Sequence, residues 1–203
     1  MSNKRVLSYV IGSNGAGKST LARNVLGPNI ISTRINGVGI LSLSEYNLYP
    51  RTRPQVVAIG RYTSVCGGVD TVKTLSNAYQ LGVTAQEAFP EANIFMESLL
   101  MSHLFSSPLK FFLEMKHEYG FEVEICFLFT SEKESLRRVF DRNGGTPIKP
   151  KCVLDKLNQT VRNYKKLMEL GEFKGIAIDT TKICPEEVFE TFRNWSGLYE
   201  KDH

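Results

Sequence analysis

Nine consecutive residues, Gly12, Ser13, Asn14, Gly15, Ala16, Gly17, Lys18, Ser19 and Thr20, have the spacing G-x-x-x-x-G-K-[ST]. Each part has a chemical use. Glycines let the backbone curl so that successive N–H groups point inward at a phosphate chain. The start of a helix adds unpaired N–H groups and the positive end of its dipole. Lys18 is placed to reach the β- and γ-phosphates, and the Ser19 hydroxyl to bind Mg²⁺. Lys18 is expected to face solvent in the empty site and to touch only phosphate. The run predicts a site for a nucleoside triphosphate, ATP, with Mg²⁺.

Three further stretches carry residues suited to phosphoryl transfer. Met96-Glu97-Ser98 ends an apolar run, where Glu97 would hold Mg²⁺ through water or serve as an acid at a helix N-terminus. Arg138 and Arg142 are i,i+4 neighbours, able to clamp a transferring phosphoryl group from one helix face or to remain solvated there. The stretch Val56–Leu75, VVAIGRYTSVCGGVDTVKTL, breaks from an apolar run into a polar loop and then resumes helical spacing. Within it, Arg61 suits a phosphate and Tyr62 suits stacking on a base. Gly67 and Gly68 would let the backbone approach an acceptor closely. Asp70 fits two roles: a base for an attacking hydroxyl, or the N-cap of the helix that follows.

The elements that must position these residues are legible as alternating strands and helices. Apolar runs at Arg5–Ile11, Gln55–Ile59, Ala92–Met96, Val123–Phe129 and Gly175–Ile178 are near-continuous, as in parallel strands buried on both faces. Helical patterns cover Lys18–Leu26, which stops at Gly27-Pro28, and the segment opened by the capping box Ser131-x-x-Glu134 and closed by Asn143-Gly144-Gly145. Two more are expected over Val153–Leu170 and Pro185–Trp195. The pattern predicts one α/β domain over residues 1–203, a three-layer P-loop NTPase sandwich around a five-stranded parallel sheet in the order 2-3-1-4-5. Residues 131–150 read as a lid with Gly144-Gly145 as its hinge. The stretch Asn29–Tyr49 reads as a hairpin or an extended insert.

Composition narrows the class. Of 203 residues, 42% are hydrophobic and 23% charged, as in an ordinary globular chain. No apolar run approaches the roughly 20 residues of a membrane span, and the N-terminus lacks signal-peptide patterning. Cys66, Cys126, Cys152 and Cys184 are too far apart for a CxxC pair, so reduced thiols in a cytoplasmic protein are expected. The net charge is only +4, yet Glu132–Lys174 holds eleven Lys or Arg against six Asp or Glu. That local surplus points to a phosphate-bearing partner. The LSGGQ signature and Asp-Glu pair of ABC ATPases are absent, as is the NKxD motif of GTPases.

The Arg138-x-x-x-Arg142 segment resembles the lid of nucleoside monophosphate kinases. The P-loop followed by Gly60, Arg61, Tyr62, Cys66, Gly67, Gly68 and Asp70, spaced as G-[RN]-Y-x(3)-C-G-G-x-D, resembles the phage-encoded 5-hydroxymethyluridine DNA kinases, relatives of thymidylate kinase. That resemblance implies ATP-dependent phosphorylation of the hydroxymethyl group of 5-hydroxymethyluracil within DNA. The reaction would be a step toward hypermodified thymines that shield phage DNA from host restriction, in the host cytoplasm. It implies DNA as the partner, with Arg51, Arg53, Arg61 and the basic segment on its phosphates. A kinase of a free nucleotide or other small hydroxyl compound, and a DNA-binding ATPase without an acceptor, are the alternatives.

Overall fold

A computed structural model describes residues 4–44, 56–63, 67–146 and 149–199. Gln55, Cys66, Arg51, Arg53 and residues 45–49, all named above, lie outside the described residues.

The sheet is built on the apolar runs. In chain order its strands are β1 (Val6–Gly12), β2 (Ile30–Ile35), β3 (Gly39–Ser44), β4 (Val56–Ile59), β5 (Asn93–Glu97), β6 (Glu122–Phe129) and β7 (Lys174–Asp179). The helices are α1 (Lys18–Leu26), α2 (Leu75–Ala88), α3 (Ser106–His117), α4 (Glu132–Arg142), α5 (Pro150–Glu169) and α6 (Pro185–Trp195). The expectation of five parallel strands is corrected here. The sheet has seven strands and is mixed, in the order β2-β3-β4-β5-β1-β6-β7. The order 2-3-1-4-5 describes only its parallel part, β4-β5-β1-β6-β7. The two extra strands are an antiparallel hairpin, β2 on β3 and β3 on β4. Its outer strand is mostly exposed, so it lacks the continuous apolar run that announces a buried parallel strand.

The central strands are buried throughout, and successive side chains go to opposite faces with period two, as the pleat requires. Leu7, Tyr9 and Ile11 of β1 join Val57, Ile94, Met96 and Ile125 on one face, under α2, α3 and α5. Val6 and Val10 join Ala58, Phe95, Cys126 and Leu128 on the other, under α1 and α6. The result is three layers.

A parallel sheet gathers the carboxyl ends of its strands along one edge, and loops there line a crevice. That edge carries the loop after β1, the loop after β4 and Glu97 at the end of β5. The opposite edge is closed by polar clamps. Asn93 accepts from Val6 N–H at 2.8 Å and donates to the Leu198 carbonyl at 3.3 Å. Glu124, fully buried, accepts from Lys174 Nζ, Ser196 Oγ and Gly197 N–H at 2.8, 2.7 and 2.9 Å.

Candidate active site

A cleft of about 640 Å³ opens at the carboxyl edge, lined by residues 14–20, Gly67, Asp70, Glu97, Leu99, α4 and the segment after β7. Its floor is the loop between β1 and α1. Gly17 has φ 91°, a left-handed turn that delivers the chain into α1, and a Cβ there would meet nothing within 4 Å. No side chain caps the first turn of α1, so its N–H groups remain available to a bound anion.

Lys18 departs from its expected posture. It is 8% exposed, and Nζ folds back to donate to the carbonyls of Gly12 and Ser13, both at 3.0 Å. Burial lowers its pKa, partly offset by the carboxylates of Glu97 and Asp70. A buried ammonium needs acceptors, and these two carbonyls supply them.

Glu97 stands opposite, 1% exposed, and accepts from the Ser19 hydroxyl at 2.8 Å. Burial raises its pKa to about 7, against the pull of Lys18 and the Ser19 hydrogen bond. A hydroxyl and a carboxylate at the mouth of a phosphate loop are the hard oxygen donors that Mg²⁺ prefers. Among the described residues no group of three or more His, Cys, Asp or Glu side chains forms a protein-only cage.

The loop after β4 is shaped to reach Glu97. Arg61 and Gly68 form a β-bridge, and Gly68 N–H donates to the Arg61 carbonyl at 3.0 Å. Gly68 has φ 78°, and a Cβ there would lie 2.5 Å from Oε1 of Glu97. Gly67 lines the cleft, whereas Gly68 is spent on packing against the carboxylate. Arg61 is exposed. Tyr62, expected to stack on a base, is 1% exposed and packed in the core with Val56, Ala58 and Phe95. Its expected role is corrected. It lies one residue beyond the Arg61–Gly68 bridge and turns inward where Arg61 turns out.

Asp70 is not the cap of the following helix, and that alternative is corrected too. The N-cap of α2 is Thr74, which accepts from Asn77 N–H at 3.1 Å. Asp70 sits in a 3₁₀ turn, Val69–Thr71, and binds the turn after the adjacent strand β5. Its Oδ1 accepts from Ser98 Oγ at 2.7 Å and Leu100 N–H at 3.1 Å, and its Oδ2 from Leu99 N–H at 2.8 Å. A carboxylate has about four acceptor positions, so Oδ2 retains capacity for a hydroxyl.

The arginines divide. Ser131 caps α4 by accepting from Glu134 N–H at 3.3 Å. Arg138 donates to Glu134 at 2.7 Å, to the Gly15 carbonyl at 3.2 Å and to the Thr180 carbonyl at 2.6 Å. Ser135 adds a 2.6 Å bond to the Asn14 carbonyl. Arg138 therefore ties α4 to the back of the phosphate loop and to the chain after β7, while it also lines the cleft. Hydrogen bonds from Arg137 and Arg138 lower the Glu134 pKa to about 2. Arg142, one turn on, is exposed and lines the cleft. Gly144 and Gly145 end α4 with φ 63° and 81°, and Pro147 and Ile148 lie outside the described residues.

Sequence reasoning missed the far wall, Thr180, Ile183, Pro185 and Val188. No local motif marks it. The available signal was topological, since every loop after a parallel strand falls on this edge. The exposed thiols Cys152 and Cys184 and the buried Cys126 are unpaired with one another. No helix among the described residues is long and apolar enough to cross a membrane.

Comparison with known proteins gives a consistent picture. A family model described as 5-hmdU DNA kinase matches residues 2–177. The 5-hmdU DNA kinase 1 of Salmonella phage ViI is 30% identical over 157 residues, which make up 74% of this chain but only 65% of that relative. The 5-hmdU DNA kinase of Pseudomonas phage PaMx11 is 26% identical over 190 residues, 84% of this chain and 89% of that one. Among solved structures, one from the PezAT chromosomal toxin-antitoxin system of Streptococcus pneumoniae is similar with a TM-score of 0.50 at 16% identity. It covers 91% of this chain and 72% of its own, a likeness of fold alone.

Proposed function

The chain belongs to the 5-hmdU DNA kinase family, and we propose that it transfers the γ-phosphoryl group of ATP to the hydroxymethyl oxygen of 5-hydroxymethyluracil in DNA. The observation that carries this reading is the meeting, in one cleft, of phosphate-loop Lys18, the Ser19–Glu97 pair and Asp70. In the reaction a bond forms between the hydroxymethyl oxygen and the γ-phosphorus. The bond from that phosphorus to the β–γ bridging oxygen breaks, and ADP leaves.

The residues act as follows. Backbone N–H groups of the loop and the first turn of α1 bind the phosphate chain. Lys18 exchanges the Gly12 and Ser13 carbonyls for phosphate oxygens. Ser19 and Glu97 would hold Mg²⁺, which neutralises charge on the β- and γ-phosphates. Asp70 accepts the hydroxyl proton through Oδ2, and Arg142 stabilises charge on the transferring group. Arg138 holds α4 against the loop rather than touching the phosphoryl group. The apolar wall Ile183, Pro185 and Val188 receives the nucleotide base. Phage DNA in the host cytoplasm is the substrate, and the phosphorylated base is an intermediate of thymine hypermodification.

The test offers γ-labelled ATP with hydroxymethyluracil-containing DNA, unmodified DNA and free hydroxymethyldeoxyuridine monophosphate in parallel. Label should enter only the first, and Lys18→Ala should remove it, with loss of roughly 100- to 1,000-fold in rate. Efficient labelling of the free nucleotide would overturn the DNA assignment and leave a small-molecule kinase.

A further inference from the structure

The turn after β5 holds two leucines in water at the rim of the cleft. Leu100 is 54% exposed and Leu104 37% exposed. Scattered apolar residues on a surface are ordinary, but these two share one short turn that is restrained from both sides. From one side Asp70 accepts from Ser98 Oγ, Leu99 N–H and Leu100 N–H. From the other, buried Asn163 of α5 donates to the carbonyls of Ser102 and Leu104 at 2.9 and 3.0 Å. Met101 N–H closes the turn on Ser98 Oγ at 2.9 Å. The protein thus fixes its backbone firmly and still leaves apolar area in solvent that burial would favour.

The position of Leu100 gives this arrangement a use. Leu99, one residue before, lines the cleft, and the Leu100 N–H donates to Asp70, another lining residue, which brings exposed Leu100 to the edge of the cleft. An acceptor base must leave the double helix to bring its hydroxymethyl oxygen to the γ-phosphate, and the vacated gap in the stack costs free energy. Apolar side chains inserted between base steps are a recurring way to hold such a distortion. Cations flank the same mouth: Arg142 lines the cleft, and Arg61 is exposed on the adjoining bridge. They suit the phosphates on either side of an extruded nucleotide.

Resting on the DNA kinase reading above, we infer that Leu100 is a wedge that enters the base stack when the target nucleotide is extruded, with Leu104 packing beside it. Asp70 and Asn163 are the positioning residues that hold the wedge at a fixed height. The wedge is a specificity device for double-stranded DNA, since a single strand has no paired helix from which the base must be extruded.

The test compares Leu100→Ala with the unaltered protein on one hydroxymethyluracil strand, either alone or annealed to its complement. The substituted side chain is exposed, so folding should be unaffected, and the melting temperature checks it. Turnover on the duplex should fall roughly tenfold or more, while turnover on the single strand stays within about twofold. Leu100→Phe should retain most of the duplex activity, because an aromatic wedge also stacks. A duplex carrying 2-aminopurine beside the target reads unstacking directly, and its fluorescence rise should shrink in Leu100→Ala. Equal losses on duplex and single strand, or no loss on either, would overturn the wedge and leave the kinase assignment standing. Absence of activity on both forms in the unaltered protein would instead overturn the DNA kinase reading itself, and the wedge with it.

Discussion

Two glutamates are buried in β5 and β6, the strands on either side of β1, each near a lysine, and the chain uses them in opposite ways. Glu124 lies at the amino edge, where Lys174, Ser196 and Gly197 give it three hydrogen bonds from the chain itself. Glu97 lies at the carboxyl edge, where Ser19 donates to it while the nearby Lys18 spends its own hydrogen bonds on the carbonyls of Gly12 and Ser13. Glu97 is correspondingly raised to about pH 7 by burial. A buried carboxylate that the fold satisfies is a clamp. One that burial strains, beside a lysine and a serine that a phosphate would recruit, is poised for a ligand.

Glu97→Gln should break the comparison most severely. It removes an anionic oxygen from the Mg²⁺ position, and loss of such electrostatic stabilisation costs roughly 100- to 1,000-fold in kcat. The protein should remain folded, as circular dichroism at the same temperature will show. A variant with near-normal turnover would mean that Glu97 is as structural as Glu124.

The second effect is a pH dependence that belongs to Glu97 alone. Its pKa of about 7 means that the carboxyl carries a proton below neutrality and must lose it to bind a divalent cation. Affinity for the Mg²⁺-nucleotide should therefore rise with pH, by about tenfold between pH 6 and 8, and level off above. Calorimetry in buffers of different ionisation enthalpy should detect a proton released at pH 6 and almost none at pH 8. Glu97→Gln should flatten that profile, while Glu124→Gln should not change it.

Glu124→Gln should produce the smallest change in activity and a visible one in stability. The amide keeps one acceptor oxygen and turns its NH2 either toward Ser196 or toward Gly197 and Lys174. Leaving such buried groups mismatched costs about 1–3 kcal/mol. Lys174 can turn to solvent, which limits the loss. Denaturant melts should show the shift, with kcat of the folded fraction unchanged. A fall in kcat without a fall in stability would contradict the division between the two edges.

Much of this was legible in the chain because the signals are local. The phosphate loop is a contiguous run whose glycines, lysine and serine each have a role fixed by neighbours in sequence. The parallel strands announced themselves as apolar runs, and Ser131 with Glu134 marked the start of α4. The hairpin β2–β3 was not legible as part of the sheet, since its outer strand sees solvent and its pairing is set by contact with β4.

The roles inside the site depended on direction, which sequence does not encode. Asp70 precedes a helix and reads as its cap, yet its carboxylate crosses to residues 98–100, about 30 positions away in the chain. Arg138 and Arg142 are equivalent on a helical wheel. Both line the cleft, and only the approach of Gly15 and Thr180 makes Arg138 a tie as well. Tyr62 and Arg61 are adjacent residues with opposite fates, because the chain turns one into the core and the other outward. The sequence by itself determined the phosphate loop, the parallel strands and the glycines that permit close approach, for these follow from backbone conformation and short-range spacing. Which charged groups are sated and which are left strained was decided by the tertiary structure, because burial and long-range hydrogen bonds exist only once distant segments have met.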